Sequence, residues 1–231
     1  MRIIEIYQSK QGEGLWTGTH SVFVRTLGCL LRCHYCDTPY ARLEEQDSED
    51  GADLMPAEIV GRVFLLDAPH VVVTGGEPML APEIGELTQL LKEYEYLVTI
   101  ETAGVVDAYV HCDLMSISPK LSNSTPTDAS PEQQERHEKH RSRPEVVRSL
   151  IARYPYQLKF VVDTPDDLVD IKEYLKQVPD VQPHRVYLMP QAVDPDTMRT
   201  KAEWIMPFCT DHGFHYCSRM QLVWYENPRG T

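Results

Sequence analysis

The sequence has few basic residues for its length and no long apolar run. Its 231 residues include 22 Lys and Arg against 35 Asp and Glu, which gives a formal net charge of −13. Because phosphate groups are bound by basic surfaces, this balance argues against nucleic acid and anionic membranes as partners. No run of about 18 apolar residues could span a bilayer, and residues 1–13 lack the apolar core of a signal peptide. We therefore expect a cytoplasmic protein.

The length predicts a single domain over residues 1–231, large enough to bury an apolar core without disulfides. With 42% hydrophobic and 25% charged residues, the chain is not a collagen, a coiled coil or a wholly disordered protein. Short apolar segments alternate with segments of helical spacing. The predicted strands are 2–7, 21–27, 70–74, 97–101, 114–118, 156–163, 185–189 and 218–225, and the predicted helices are 56–67, 84–94, 165–177 and 195–212.

This alternation predicts an α/β fold built from βαβ units around a parallel sheet. Ligands of such folds bind at the carboxyl ends of the strands. Polar or glycine-rich segments follow three of the predicted strands, at 74–77, 101–102 and 118–120. Residues 121–143 contain almost no apolar side chain, so we expect a solvated, flexible insert there. Its His137 and His140 are candidate metal ligands.

The six cysteines divide into a cluster and three scattered residues. Cys112, Cys209 and Cys217 lie far from the cluster formed by Cys29, Cys33 and Cys36. Without a signal peptide, a disulfide framework is not expected. For Cys112 we expect a small buried apolar side chain, whereas Cys209 and Cys217, with His212 and His215, are either ordinary packing or an auxiliary metal site.

Three thiolates at the spacing C-x3-C-x2-C can converge on one metal centre. A tetrahedral zinc site needs a fourth protein ligand, for which His34 is a poor candidate between two of the cysteines. A four-iron cluster held by three thiolates keeps one iron open to an outside ligand, which makes it a catalyst. The residues alone leave both centres open.

The segment Cys29-Leu-Leu-Arg-Cys33-His-Tyr-Cys36 resembles the signature of the radical S-adenosylmethionine (SAM) superfamily. The segment Thr74-Gly-Gly-Glu-Pro78 resembles the motif with which that superfamily binds the amino group of SAM, and glycine permits the close backbone approach. The resemblance implies a partial, modified TIM-like (β/α) barrel of the radical SAM type. It also implies a [4Fe-4S] cluster whose open iron binds SAM.

The flanking residues resemble the 7-carboxy-7-deazaguanine synthase family. The matching segments are 9–14, Phe23-Val-Arg-Thr-Leu-Gly-Cys29, Cys36-Asp-Thr38, Glu101-Thr102, 118–122, Gln157-Leu-Lys-Phe160, Met189-Pro-Gln191 and Asn227-Pro-Arg-Gly230. Such an enzyme is a carbon–nitrogen lyase of queuosine and deazapurine biosynthesis. It contracts the ring of 6-carboxy-5,6,7,8-tetrahydropterin to give 7-carboxy-7-deazaguanine and ammonia. By resemblance, a radical from SAM takes the hydrogen at C6 of the substrate, and SAM is later regenerated.

The resemblance also implies roles for individual residues. Cys29, Cys33 and Cys36 would ligate the cluster, and Thr38 would ligate a Mg²⁺ ion that bridges to the substrate carboxylate; the alternative for Thr38 is a hydroxyl that caps the loop. The implied SAM-binding residues are Tyr35, Cys36, Asp37, Gly76, Glu77, Ser118, Pro119, Lys120 and Gln191. The implied substrate-binding residues are Lys10, Gln11, Gly12, Glu13, Arg25, Thr74, Pro228 and Thr231. Arg25 suits a carboxylate because its guanidinium is a two-pronged donor.

The sequence departs from the family at Arg219-Met-Gln221, where Arg-Leu-His is common, and at Ala103, where Asn or Ser is common. Two other functions stay open at this point. An activating enzyme for a glycyl-radical protein shares the cluster, but an asparagine usually follows its third cysteine, where Asp37 stands here. A non-enzymatic zinc or iron–sulfur module would need neither of the polar segments at 74–77 and 118–120. The family further implies a homodimer and an electron donor such as a flavodoxin.

Overall fold

The computed structural model describes residues 1–42 and 51–225. Within these residues, nine strands form one mixed sheet in the order β3-β1-β2-β4-β5-β6-β7-β8-β9. The strands are β1 Arg2–Lys10, β2 His20–Thr26, β3 Ala52–Asp53, β4 His70–Gly75, β5 Leu97–Thr102, β6 Leu114–Ile117, β7 Tyr156–Val162, β8 Val186–Pro190 and β9 His215–Tyr216. The helices are α1 Pro56–Phe64, α2 Ile84–Glu93, α3 Pro131–Arg141, α4 Pro144–Arg153, α5 Asp167–Lys176, α6 Pro195–His212 and α7 Met220–Tyr225.

The sheet is parallel from β2 through β9 and antiparallel only where β1 pairs with β2 and β3. Helices α1, α2, α4, α5 and α6 contribute buried apolar side chains to one large core on the outer face of the sheet. Along β7, Leu158, Phe160 and Val162 belong to that core, while Gln157 and Lys159 alternate to the inner face. The same alternation recurs in neighbouring strands, so polar side chains collect on the inner face.

The sheet is strongly curved, and this shape brings distant strands together. Glu13, just after β1, forms an ion pair with Lys159 on β7. In a flat sheet β1 and β7 would be separated by five distances between neighbouring strands, about 24 Å in all. The amide of Gly14 likewise donates to the sulfur of Cys217, just after β9, at 3.1 Å. The inner face therefore encloses a central space, and the predicted α/β fold of the partial-barrel type is confirmed.

The predicted last strand, 218–225, is wrong. Strand β9 is only His215–Tyr216, and helix α7 follows from Met220. The amide of Met220 donates to the carbonyl of Gly12 at 3.0 Å instead of to a neighbouring strand. Leu222 is buried in a small cluster with Ala192 and Met198, separate from the main core. The apolar residues of this segment therefore pack as one helical turn and not as an alternating strand.

The expectation of a flexible insert is also wrong for helix α3. Ser130 and Gln133 form a capping box at its start, and Pro131 occupies the first turn, where its missing amide costs nothing. The buried side chain of this helix is His137, so polar contacts and not apolar burial fix its place. Helix α4, which follows, was not predicted, although Pro144 and the apolar spacing of Val147 and Leu150 were signals for it. None of the helices in the described ranges is both long and apolar enough to cross a membrane.

Candidate active site

A cavity of about 350 Å³ lies on the inner face of the sheet, at the carboxyl ends of the parallel strands. Most of the predicted site residues line it, which are Lys10, Gln11, Gly12, Glu13, Arg25, Cys29, Cys33, Tyr35, Cys36, Asp37, Thr38, Thr74, Gly76, Ser118, Lys120 and Gln191. Glu77 and Pro119 are not among the lining residues. Pro228 and Thr231 lie outside the described residues. The cavity therefore unites segments that are far apart in sequence.

The three clustered cysteines form one end of the cavity. All three are free thiols, and they pack against Leu31, Ala103 and Val105. Burial raises the pKa of Cys29 to about 12 and that of Cys33 to about 11. Each thiol must lose its proton to bind a metal, so iron would replace these protons. Three soft sulfur donors at a cavity wall suit a multi-iron cluster that keeps one iron open toward the cavity.

The alternative metal sites have less support. Among residues 1–42 and 51–225, no set of three or more His, Cys, Asp or Glu side chains is grouped around a single ion position, and this includes Cys29, Cys33 and Cys36. The alternatives differ from the cysteine cluster in their hydrogen bonds. Nδ1 of His212 lies 2.9 Å from the carbonyl oxygen of Phe208, and both ring nitrogens of His137 have partners. Cys209 and Cys217 are both buried, which fits the packing alternative.

The glycine-rich segment after β4 lies tightly against the cysteine-bearing loop. A Cβ atom on Gly76 would stand 2.2 Å from the carbonyl oxygen of Gly28 and 2.4 Å from that of Ala41, so only glycine fits there. Glu77 is buried and turned away from the cavity. Its carboxylate accepts from the hydroxyl of Thr102 at 2.7 Å and from the amide of Ala103 at 2.9 Å. Glu77 therefore ties this segment to the end of β5.

Two further polar groups flank the sulfur end of the cavity. The ammonium of Lys120 donates to the hydroxyl of Ser118 at 2.8 Å. The hydroxyl of Tyr35 is buried and has no hydrogen-bond partner among the described residues. Burial raises the pKa of Tyr35 well above its ordinary value, so this hydroxyl stays a neutral donor. A buried donor without a partner at a cavity wall is suited to a polar ligand.

Glu13 is the centre of a buried charge network in the cavity wall, and Arg219 connects this network to Asp37 at 2.8 Å. Its carboxylate accepts from Lys159, from Nε of Arg219 at 3.3 Å and from the side-chain amide of Gln221 at 2.7 Å. Burial alone would raise the pKa of Glu13, but the charges of Lys159 and Arg219 outweigh it and hold the pKa at about 2. Glu13 is therefore ionised, and most of its acceptor capacity is already used by the protein.

A second network also lines the cavity wall. Glu101 accepts from the amide of Gln11 at 3.1 Å and from the hydroxyl of Thr74 at 2.9 Å. The guanidinium of Arg25 donates from Nε to Glu5 at 2.6 Å and from Nη2 to the hydroxyl of Tyr7 at 3.0 Å. These contacts fix the Arg25 guanidinium at the cavity wall with N–H groups left for a ligand.

The sequence predicted no role for several polar residues that line the cavity, among them Glu101, Lys159, Arg219 and Gln221. For two of these, the sequence carried a signal. Lys159 stands in an otherwise apolar strand, and a buried lysine needs a partner. Glu101 ends a strand, where functional residues of this fold type collect. Arg219 and Gln221 were noted only as a departure from the family motif, because their positions depend on the segment around helix α7.

Comparison with known proteins agrees with this arrangement. The radical SAM superfamily matches residues 23–123. The chain is 41% identical to 7-carboxy-7-deazaguanine synthase of Rhodopirellula baltica, over 99% of this chain and 88% of that protein. It is 35% identical to 7-carboxy-7-deazaguanine synthase of Halobacterium salinarum, over 98% of this chain and 91% of that protein.

A solved structure gives the same result for the fold. The crystal structure of QueE from Escherichia coli superposes with a TM-score of 0.70 at 23% identity, covering 94% of this chain and 92% of that one. At this identity the likeness concerns the fold, whereas the sequence relatives concern the family. Since those relatives match over nearly the whole chain, the protein belongs to the 7-carboxy-7-deazaguanine synthase family of the radical SAM superfamily.

Proposed function

We propose that this chain contracts the ring of 6-carboxy-5,6,7,8-tetrahydropterin to give 7-carboxy-7-deazaguanine and ammonia, in queuosine or deazapurine biosynthesis. The observation that carries the proposal is the cavity itself, which is lined both by three free thiols and by buried charged groups. Radical chemistry needs a concave site of this kind, because the protein's task is to orient the reactants and exclude competing reactions.

Family membership confirms the predicted enzyme class, a lyase, and the predicted [4Fe-4S] cluster and SAM. The donor set fits both. Cys29, Cys33 and Cys36 would hold the cluster. The residues proposed for SAM are Tyr35, Asp37, Gly76, Ser118, Lys120 and Gln191, with Cys36 through its backbone. When bound, the cluster and SAM supply the radical that starts the reaction. Glu77 would support the SAM site through its bonds to Thr102 and Ala103, and Pro119 stays a prediction.

The substrate end of the cavity can orient a pterin that carries a carboxylate. The fixed guanidinium of Arg25 would pair with the carboxylate, and Gln11 and Thr74, oriented by Glu101, would meet the polar edge of the ring. Lys10, Gly12 and Glu13 complete this wall in the proposal. A Mg²⁺ ion at Thr38 would bridge to the substrate carboxylate, since Mg²⁺ prefers oxygen ligands. Pro228 and Thr231 stay predictions for the same end.

The remaining parts of the proposal come from the family and from the charge. We infer a cytoplasmic homodimer that receives electrons from a donor such as a flavodoxin. The net charge of −13 supports a small-molecule substrate over a nucleic-acid partner. The anionic substrate would be met locally, because Arg25 and Lys120 place positive charge at the cavity wall.

The proposal is tested by reconstituting the chain with iron and sulfide without oxygen and supplying reductant, SAM and the carboxypterin. We expect about four irons per chain and a product with the mass of 7-carboxy-7-deazaguanine. A variant with Cys29, Cys33 and Cys36 all changed to Ala is the control, and it should bind no cluster and form no product. Zinc in place of iron in the wild-type chain would reject the proposal.

A further inference from the structure

We propose that His137 of helix α3 is a positioning residue for the cluster, because its ring accepts a hydrogen bond from the cysteine loop, residues 28–37. The segment 121–141 would then act as a clamp on that loop. This inference rests on the proposed cluster at Cys29, Cys33 and Cys36, and it concerns this chain's own residues around them.

The first contact is a hydrogen bond from the cysteine loop to the histidine ring. The amide of Arg32 donates to Nδ1 of His137 at 3.1 Å. Since a backbone amide can only donate, Nδ1 is the acceptor and Nε2 carries the proton of the neutral ring. Nε2 lies 3.0 Å from the hydroxyl oxygen of Ser124, and that hydroxyl donates to the carbonyl of Leu121 at 2.6 Å. The tautomer of His137 is thus determined by its partners on both sides.

The second contact lies on the other side of Cys33, which stands between Arg32 and His34. The amide of His34 donates to the carbonyl of Ser124 at 2.8 Å. Arg32 and His34 are the two neighbours of Cys33 in the sequence. The backbone amides on both sides of Cys33 are therefore hydrogen-bonded to the clamp. One bonds to His137 and the other to Ser124, whose hydroxyl contacts the His137 ring.

The burial of helix α3 supports this role. His137 is 1% exposed, and the other side chains of the helix are more accessible. A helix with so little apolar surface is held by its polar contacts. Helix α3 also contacts its surroundings through Arg141, whose guanidinium donates to the carbonyl of Lys120 at 3.3 Å, and through Glu138, which accepts from the hydroxyl of Thr125. The buried contact of this helix is therefore directed at the cysteine loop.

Losing the acceptor at position 137 would leave the partly buried Arg32 amide without its acceptor on the ring, which is costly. The cysteine loop would then open more often, and the cluster would exchange its ligands faster. We expect iron to be lost to a chelator roughly tenfold faster, in line with the typical cost of such an unsatisfied group. The main core lies on the outer face of the sheet and contains no residue of the cysteine loop, so global unfolding should change much less.

The test compares four anaerobically reconstituted proteins, which are the wild type, His137→Phe, His137→Asn and Glu135→Ala. Phe fills the space without an acceptor, whereas the amide oxygen of Asn can take the place of Nδ1. Glu135 is exposed on the same helix and serves as the matched control. The measurements are iron per chain, the rate of iron loss to an excess of chelator and the thermal unfolding temperature.

We expect His137→Phe to lose iron roughly tenfold faster than the wild type, His137→Asn to fall between the two, and Glu135→Ala to match the wild type. Equal rates in all four folded proteins would overturn the inference. If His137→Phe does not fold, His137→Asn carries the test: iron loss faster than in the wild type supports the positioning role, and iron loss at the wild-type rate rejects it. A wild-type chain that binds no iron would instead reject the proposed function.

Discussion

The buried ion pair between Glu13 and Lys159 leads to a quantitative prediction. Lys159 lies on β7 and Glu13 follows β1, so the pair connects two distant parts of the curved sheet. The exposed fractions of the side chains are 8% for Lys159 and 14% for Glu13. Removing one partner would leave the other charged and buried, which typically costs about 3–5 kcal/mol. We predict that Glu13→Gln and Lys159→Met each lower the free energy of unfolding by about this amount.

The pKa of Glu13 gives an independent estimate of the same size. A pKa of about 2, against 4.5 for a free glutamate, corresponds to about 3 kcal/mol in favour of the charged carboxylate. Because the folded pKa lies below the unfolded one, this stabilisation is present above pH 4.5 and is lost as the pH falls toward 2. In Glu13→Gln this part of the acid dependence should disappear.

The assay is urea unfolding of the wild type, both single variants and the double variant. Because the double variant removes both charges, it should be less destabilised than the sum of the singles, with a coupling of about 1.5 kcal/mol or more. Lys176→Met is the matched control, since Lys176 pairs with Glu173 and the two side chains are 69% and 60% exposed. That variant should change stability by about 1 kcal/mol or less. Additivity of the Glu13 and Lys159 effects within about 0.5 kcal/mol would refute the reasoning.

Three further predictions concern other parts of the molecule. Gly76→Ala would place its Cβ against the carbonyls of Gly28 and Ala41, so SAM binding measured by equilibrium dialysis should weaken at least about tenfold and stability should fall by about 1–3 kcal/mol; unchanged binding would contradict this packing. Burial holds the pKa of His70 at about 4 against 6.5 when free, so the unfolding free energy should fall by up to about 3 kcal/mol as the pH drops from 6.5 to 4, and His70→Gln should remove part of that slope. Arg25→Ala should raise KM for the carboxypterin and leave uncoupled cleavage of SAM intact; unchanged steady-state kinetics would exclude Arg25 from substrate binding.

The sequence was most informative about functional residues that lie close together along the chain or directly after a strand. Cys29, Cys33 and Cys36 are close in space because they are close in sequence, and most of the segments that follow the predicted strands meet at the cavity because parallel strands end at one edge of the sheet. Even Lys159 and Glu101, for which the sequence predicted no role of their own, follow the alternation of their strands. These features follow from periodicities that a single sequence contains.

The missed features depend on contacts between distant parts of the chain. Arg219 lies 206 residues from Glu13 along the sequence. Its position depends on the helix at 220–225, for which the apolar pattern wrongly predicted a strand. His137 appeared as one polar residue in a polar segment. Its burial depends on the cysteine loop, 105 residues away at Arg32. Neither contact produces a periodic pattern in the sequence. Each joins a single side chain to one distant group, which is the Glu13 carboxylate for Arg219 and the Arg32 amide for His137.

The central claim is the radical ring contraction, and it is tested most directly by comparing two products of one reaction. The reduced, reconstituted enzyme is mixed with SAM and excess 6-carboxy-5,6,7,8-tetrahydropterin without oxygen, and 7-carboxy-7-deazaguanine and 5′-deoxyadenosine are both quantified by mass spectrometry. Since SAM acts as a regenerated cofactor in this account, we predict that the deazaguanine forms in large excess over 5′-deoxyadenosine. Cleavage of SAM to 5′-deoxyadenosine with no deazaguanine would contradict the account.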